Sequence, residues 1–137
     1  MADIEALVAM GARFHALTAY RSSLVFNADH LRAFGARLIQ GPDTAIIVAE
    51  DQSGVIGMIG LVVYDHHLSG ERVGGEIFWW VEPEKRGIGV RLLKDAERWV
   101  KARGGAFLQM IAPSPDVEQL YERLGYMPIE RSYQKAL

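Results

Sequence analysis

A chain of 137 residues, half of them hydrophobic and 23% charged, is globular in composition and long enough to bury the core of one ordinary domain. A net charge of −2 removes any global electrostatic case for nucleic acid or an anionic membrane, and the absence of cysteine removes disulfides, thiolate zinc sites and cysteine nucleophiles together. The acidic start lacks the basic and apolar regions of a secretory leader, and every long apolar run breaks before about 18 residues, so no membrane span and a cytoplasmic location are expected.

Ile4, Leu7, Val8, Gly11, Phe14 and Leu17 recur at spacings of three and four and predict a first helix. Asn27 suits the N-cap of a second, with Leu31, Phe34, Leu38 and Ile39 inward and Gly41-Pro42-Asp43 ending it. Thr44–Ala49 is short and β-branched, Asp51–Gly54 is a turn, Val55–Tyr64 is the next strand, and Arg72–Val81 follows an Asp65–Glu71 loop. Connections this short require antiparallel pairing. Arg86–Arg103 is the clearest helix, with Leu92, Leu93, Ala96, Trp99 and Val100 as its buried stripe and Gly104 as its stop. Ala106–Ile111 is a further strand, expected parallel to 72–81 across that helix. Ser114 and Pro115 start a short helix on which Val117, Leu120, Tyr121 and Leu124 share a face, and Gly125 closes it. Residues 126–137 predict one or two terminal strands. No repeat or linker interrupts the pattern, so one α/β domain over 1–137 is expected.

The segment Val81-Glu82-Pro83-Glu84-Lys85-Arg86-Gly87-Ile88-Gly89-Val90-Arg91 carries the chain from a strand into a helix N-terminus. First-turn amides have no helical partner, the helix dipole adds positive charge, and phosphate oxygens satisfy both. Arg86, Gly87, Ile88, Gly89, Val90 and Arg91 are therefore candidates to cradle a phosphate, with Gly89 leaving room for backbone approach. The dinucleotide fingerprint is not met, since its third glycine would fall at Leu92, and no Gly-Lys-Ser/Thr follows for a Walker loop. An isolated glycine pair before a helix serves backbone geometry as often as ligand binding. Its surroundings must decide.

Those surroundings run strand, Val-x-Pro, Arg-Gly-x-Gly, long helix, strand, and a short helix with Leu120-Tyr121-Glu122-Arg123-Leu124-Gly125-Tyr126. In this order the chain resembles the GNAT family of N-acetyltransferases. The family's acetyl-CoA signature, Arg/Gln-x-x-Gly-x-Gly/Ala, is matched by Arg86-x-x-Gly89-x-Arg91, and its Leu-Tyr-x-x-x-Gly-Phe by residues 120–126. The resemblance spans roughly residues 44–137. It implies a mixed, mostly antiparallel central sheet flanked by helices on both faces, with the first strand short or absent because helical periodicity begins by Ile4. It also implies acetyl-CoA as cosubstrate, no metal, and direct attack of a primary amine on the thioester in a ternary complex. The amine belongs to a small molecule or a protein, and terminal strands in the family often support homodimers. Two positions depart from the pattern: Arg91 stands where Gly or Ala is usual, and Ser114 where relatives often have Asn.

By the same resemblance, strands 72–81 and 106–111 splay apart, backbone groups near Trp79, Trp80 and Val81 pair with pantetheine, and Ser114 lies close to it. Tyr121 is the candidate acid, its hydroxyl placed near the thioester sulfur, and a phenol of pKa about 10 is protonated at neutrality. A core tyrosine on an apolar helix face is the competing explanation. Glu76 is the candidate base. Alternation sets Glu76, Phe78 and Trp80 on one strand face and Ile77, Trp79 and Val81 on the other. A carboxylate in so apolar a strand needs a task or a partner, and a salt-bridged edge glutamate is the alternative. His66 and His67 in the preceding loop are rival bases, since imidazole titrates near neutrality. Adjacent histidines in a polar loop also fit solvated surface, and no ligand set with metal spacing accompanies them. Phe14, Tyr20, Phe26, Phe78, Trp79 and Trp80 are expected to be mostly core. Ala19–Phe26 is, by family analogy, the specificity loop. A non-catalytic CoA-binding module and an interaction domain with a purely structural glycine turn stay open as alternatives.

Overall fold

The computed structural model describes residues 2–85 and 87–137. Helices α1 (Ala2–Leu17) and α2 (Ala28–Gln40) come first, joined by a linker with a 3-10 turn at Ala19–Ser22. Strands β1 (Thr44–Asp51), β2 (Gly54–Asp65) and β3 (Arg72–Val81) follow. A second 3-10 turn at Pro83–Lys85 leads to α3 (Ile88–Ala102), β4 (Phe107–Gln109) and α4 (Pro115–Arg123). The sheet has four strands in the order β1-β2-β3-β4, antiparallel through β3 and parallel between β3 and β4, with α3 as the crossover. The expected mixed α/β sheet with helices on both faces is the one found.

Two apolar layers hold it together. Leu7, Met10, Leu38, Met58 and Phe78 fill the space between the sheet and α1–α2. Ile59, Leu61, Leu92 and Ala96 fill the space beneath α3. Asn27 caps α2 by accepting the His30 N–H at 2.9 Å. Helices α1 and α2 approach closely because a glycine on each faces a leucine on the other. A Cβ on Gly11 would strike the Leu31 side chain, and one on Gly35 would strike Leu7.

Several boundaries and faces differ from expectation. Leu17 is 71% exposed because it lies beyond Phe14, the last α1 residue packed on the core, while Met10 takes a buried place. Ile39 is exposed because it lies about 100° around the helix from buried Leu38. The helix expected from Arg86 begins at Ile88, with Gly87 as its N-cap; Arg86 itself lies outside the described residues. Pairing of β4 ends at Gln109, opposite Gly75. Residues 126–137 form no strand, and Met127, Ile129 and Tyr133 are exposed. So short a β4 offers little edge on which further strands could pair.

One correction matters for chemistry. The β2–β3 register shifts between Gly60 and Leu61, so Gly60 opposes Phe78, Leu61 opposes Glu76, and Ile77 is the extra residue of a β-bulge. Leu61, the partner of Glu76, is buried under α3, and Gly74 two residues earlier faces Val100 of α3. Directly opposed residues project to the same face. Glu76 therefore shares the α3 face with Trp79 and Val81, and not, as alternation predicts, the α1–α2 face with Phe78 and Trp80.

Candidate active site

Beyond Gly75 the β3 edge from Glu76 to Val81 faces no paired strand, because β4 has already ended. Two side chains meet at the mouth of this gap on the backbone of one residue, Ile111. The Ile111 N–H donates to Glu76 Oε2 at 2.8 Å, and the Tyr121 hydroxyl donates to the Ile111 carbonyl at 2.8 Å. At the closed end, Tyr64 reaches over Gly75 to Gln109 at 3.0 Å.

Burial pushes the half-buried Glu76 carboxyl up to about 7, against the opposing pull of the Ile111 N–H. Its Oε1 has no protein partner among the described residues and is not enclosed. Tyr121 is buried, and that burial, then the nearby Glu76 and Tyr126, hold its phenol well above the ordinary tyrosine range. Its ring lies between Trp79 (centroids 5.9 Å apart, planes at 21°) and Tyr126 (5.5 Å, 43°). The Tyr126 N–H also donates to the Tyr121 carbonyl at 2.9 Å, tying the segment after α4 back to that helix.

At the far end of β3 the Glu82 N–H donates to the Ile56 carbonyl at 2.9 Å, and the Lys85 N–H donates to the Glu82 carbonyl at 2.8 Å. Lys85 Nζ is paired with Asp51 at 2.8 Å, which holds the Asp51 carboxyl at about 2. These contacts set the turn that delivers the chain to α3. Among the described residues, no turn or loop bond takes up the amides of Gly87, Ile88, Gly89 or Val90. The N-terminus of a helix running from Ile88 to Ala102 thus lies against the end of β3, with Gly89 beside Trp79 and Val81.

A model of the Acetyltransferase (GNAT) family matches residues 14–126. The chain belongs to the GNAT acetyltransferase family. Solved structures with the same fold include a transcriptional regulator from Bacillus halodurans C-125, with a TM-score of 0.81 at 21% identity, covering 99% of this chain and 94% of that one. A ribosomal-protein-alanine N-acetyltransferase from Brucella melitensis biovar Abortus 2308 aligns with a TM-score of 0.75 at 18% identity, covering 98% and 92%. The aminoglycoside N-acetyltransferase AAC(6')-Iy in complex with CoA aligns with a TM-score of 0.69 at 20% identity, covering 81% and 78%. Identities this low speak for the fold alone. No curated protein matches.

The residues that the GNAT resemblance singled out fall in distinct places. Trp79 and Val81 face α3, whereas Trp80 stacks between Phe14 (5.7 Å) and Phe78 (4.4 Å) under α1–α2. Tyr20 is not core but 54% exposed in the linker. Ser114 is the N-cap of α4, yet its hydroxyl makes no capping bond. Arg91 is exposed on α3, consistent with a position where only the backbone is required. His66 and His67 stack on each other at 4.5 Å in the β2–β3 hairpin, at the end of β3 away from the open edge, so the gap does not receive them. Ile111 acts through its backbone, and no side-chain pattern could have marked it. Tyr126 carried a signal, a Tyr where the family motif has Phe.

Gly89 also serves packing. A Cβ there would sit 3.2 Å from the Trp79 ring and 3.5 Å from Val81, so its missing side chain lets α3 lie against Trp79. Gly87 is the open glycine, with φ −57° and no atom within 4 Å of an added Cβ. Gly89→Leu is expected to cost about 1–3 kcal/mol through overpacking, while Gly87→Ser leaves thermal melting unchanged. Equal melting temperatures for the two variants would contradict the packing role.

Proposed function

We propose that this protein is an acetyl-CoA-dependent N-acetyltransferase that acetylates a primary amine by direct attack in a ternary complex. The observation that carries the reading is the meeting of Glu76 and Tyr121 on the backbone of Ile111, at the point where β3 and β4 part. The surrounding groups suit the cosubstrate. The free β3 edge at Trp79, Trp80 and Val81 can pair with pantetheine amides as an added strand would. The uncommitted Ser114 hydroxyl lies at the start of α4, and the first-turn amides Gly87 to Arg91, with Arg86, suit a pyrophosphate. Bound acetyl-CoA supplies the acetyl thioester.

The remaining work is proton handling. Glu76 Oε1 takes a proton from the incoming ammonium, directly or through one water, leaving a neutral amine as nucleophile. A carboxyl brought to about 7 is half ionised near neutrality, where a general base is most effective. As the C–S bond breaks, the Tyr121 O–H turns from the Ile111 carbonyl about its own C–O bond and gives its proton to the departing sulfur. The second proton that the nitrogen sheds as the amide forms returns through water to the Tyr121 oxygen. Burial keeps that phenol protonated throughout the working pH range. Amines are the acceptors in the names of two structural neighbours, a ribosomal-protein alanine and an aminoglycoside, which supports an amine here.

Acetyl-CoA is expected to raise the melting temperature, by about 2.7 kcal/mol of linkage at a hundredfold excess over Kd. Free thiol is expected on addition of a suitable amine. A melting shift without thiol release from any amine would favour a CoA-binding module without turnover. No shift at saturating acetyl-CoA would leave the glycine turn a structural feature only.

A further inference from the structure

We propose that Tyr64 is a positioning residue for the Glu76–Tyr121 pair: strapped across β3 to Gln109, it fixes where β4 leaves the sheet and so where the Ile111 backbone stands. The proposal rests on reading Glu76 and Tyr121 as the base and acid of acyl transfer.

Both of those side chains are placed by one residue that lies just beyond the last paired position. Parallel pairing of β3 with β4 covers Val73–Phe107, Gly74–Leu108 and Gly75–Gln109 and then stops. Ile111, two residues further on, offers its N–H to Glu76 and its carbonyl to Tyr121. So short a ladder holds an edge strand weakly, and its last pair opens most readily. Movement at Gln109 carries Ile111 with it, and a misplacement of about 1 Å at a reacting site costs a large factor in rate.

The two faces of β4 are held differently. Where the strand begins, the Ala106 N–H donates to the Arg72 carbonyl at 2.9 Å. On the α3 face Leu108 and Met110 pack into the layer beneath that helix. On the other face α1 and α2 cover Met58 and Phe78, while Phe107 and Ile111 are 62% and 63% exposed. There the Tyr64 hydroxyl donates to Gln109 Oε1 at 3.0 Å. Tyr64 opposes Val73 on β3, so its ring must cross that strand to reach β4. It passes over Gly75, where an added Cβ would sit 3.5 Å from ring atom Cε1. The strap therefore spans three strands at the row where pairing ends.

Glu76 reports on this strap. Burial and the Ile111 N–H set its carboxyl in opposite directions. Leu61 opposite it on β2 carries no charge, nor do Leu92 and Ala96 of the α3 layer, and Tyr121 on α4 is its titratable neighbour. The N–H favours the carboxylate, so a loosened Ile111 lets burial drive the carboxyl higher.

The experiment compares the full-length wild type with Tyr64→Phe, Gln109→Met and the double variant. Carbon-13 NMR follows the Glu76 carboxyl through pH without ligand, its signal assigned by its loss in Glu76→Gln. Thiol release from acetyl-CoA with an amine that the wild type turns over gives the rates. In Tyr64→Phe the Glu76 titration is expected to move up by about 0.5–1 pH unit, with the rising limb of kcat/KM following it. At pH 7 kcat should fall about three- to tenfold while the acetyl-CoA KM stays unchanged. Gln109→Met should do the same, and the double variant no more than either single one, because all three break one bond. A lower melting temperature with an unmoved Glu76 titration would make the strap merely structural and overturn the proposal. Additive effects in the double variant, or an unchanged kcat, overturn it equally. If the wild type releases no thiol with any amine, acyl transfer falls, and the NMR titration alone upholds or overturns the strap.

Discussion

Glu76→Gln is expected to lower kcat/KM by about 10²- to 10⁴-fold at pH 8, the range typical of a lost general base. The wild-type kcat/KM should rise with pH through about 7, as Glu76 gives up its proton, and this limb should vanish in the variant. The amide of Gln can still accept the Ile111 N–H through its carbonyl oxygen, so the link across the gap survives while the base does not. Stability supplies an independent check. Folding raises the Glu76 pKa from 4.5 to about 7, so the proton favours the folded state. The associated stability is fully present below about 4.5 and is lost as pH rises through about 7, a difference on the order of 3 kcal/mol. The Gln variant has no such proton to lose. Its stability should therefore gain on the wild type between pH 5 and 9, read by denaturant unfolding at each pH. A pH-independent difference between the two proteins would mean that Glu76 is not held in this environment, and an unchanged rate would take the base role from it.

Tyr121→Phe is expected to lower kcat by about 10²-fold with little change in acetyl-CoA affinity. The phenyl ring keeps the stack between Trp79 and Tyr126, so the packing around the site is retained. What disappears is one donor and the bond to the Ile111 carbonyl, costing about 1 kcal/mol of stability. Because that carbonyl belongs to an exposed residue, water can replace the lost donor, and the fold should survive. The discriminating measurement is the split between kcat and the acetyl-CoA melting shift. A falling kcat with an intact shift identifies a proton donor, whereas parallel losses identify a residue that shapes the cosubstrate site. Full activity would leave Tyr121 as a core aromatic.

Much of the fold was legible because its determinants are local. Asn27 stops the backbone of α2 from starting elsewhere, the Leu92–Val100 stripe specifies the buried face of α3, and the Asp51–Gly54 turn leaves β1 and β2 only an antiparallel arrangement. The order of the glycine turn, the long helix and the Tyr121 helix was readable in the same way. Helix ends were less legible: Leu17 and Ile39 fit the apolar period, yet the core had no room or reach for them. The terminal residues carry strand-like composition, but strand formation needs an edge to pair with, and β4 is too short to offer one.

The face of Glu76 was illegible for a different reason. Alternation counts residues along one strand, and a single bulge at Ile77 resets the count for everything before it. Whether a bulge forms there depends on Phe78 covering Gly60 and on Leu61 seating under α3, which are contacts between strands and layers. The chain alone thus determined the order of the glycine turn, the long helix and the Tyr121 helix, because spacing and turn chemistry act over a few neighbours. Only the tertiary structure decided that Glu76 and Tyr121 share Ile111, because that meeting depends on cross-strand register and on where β4 stops pairing.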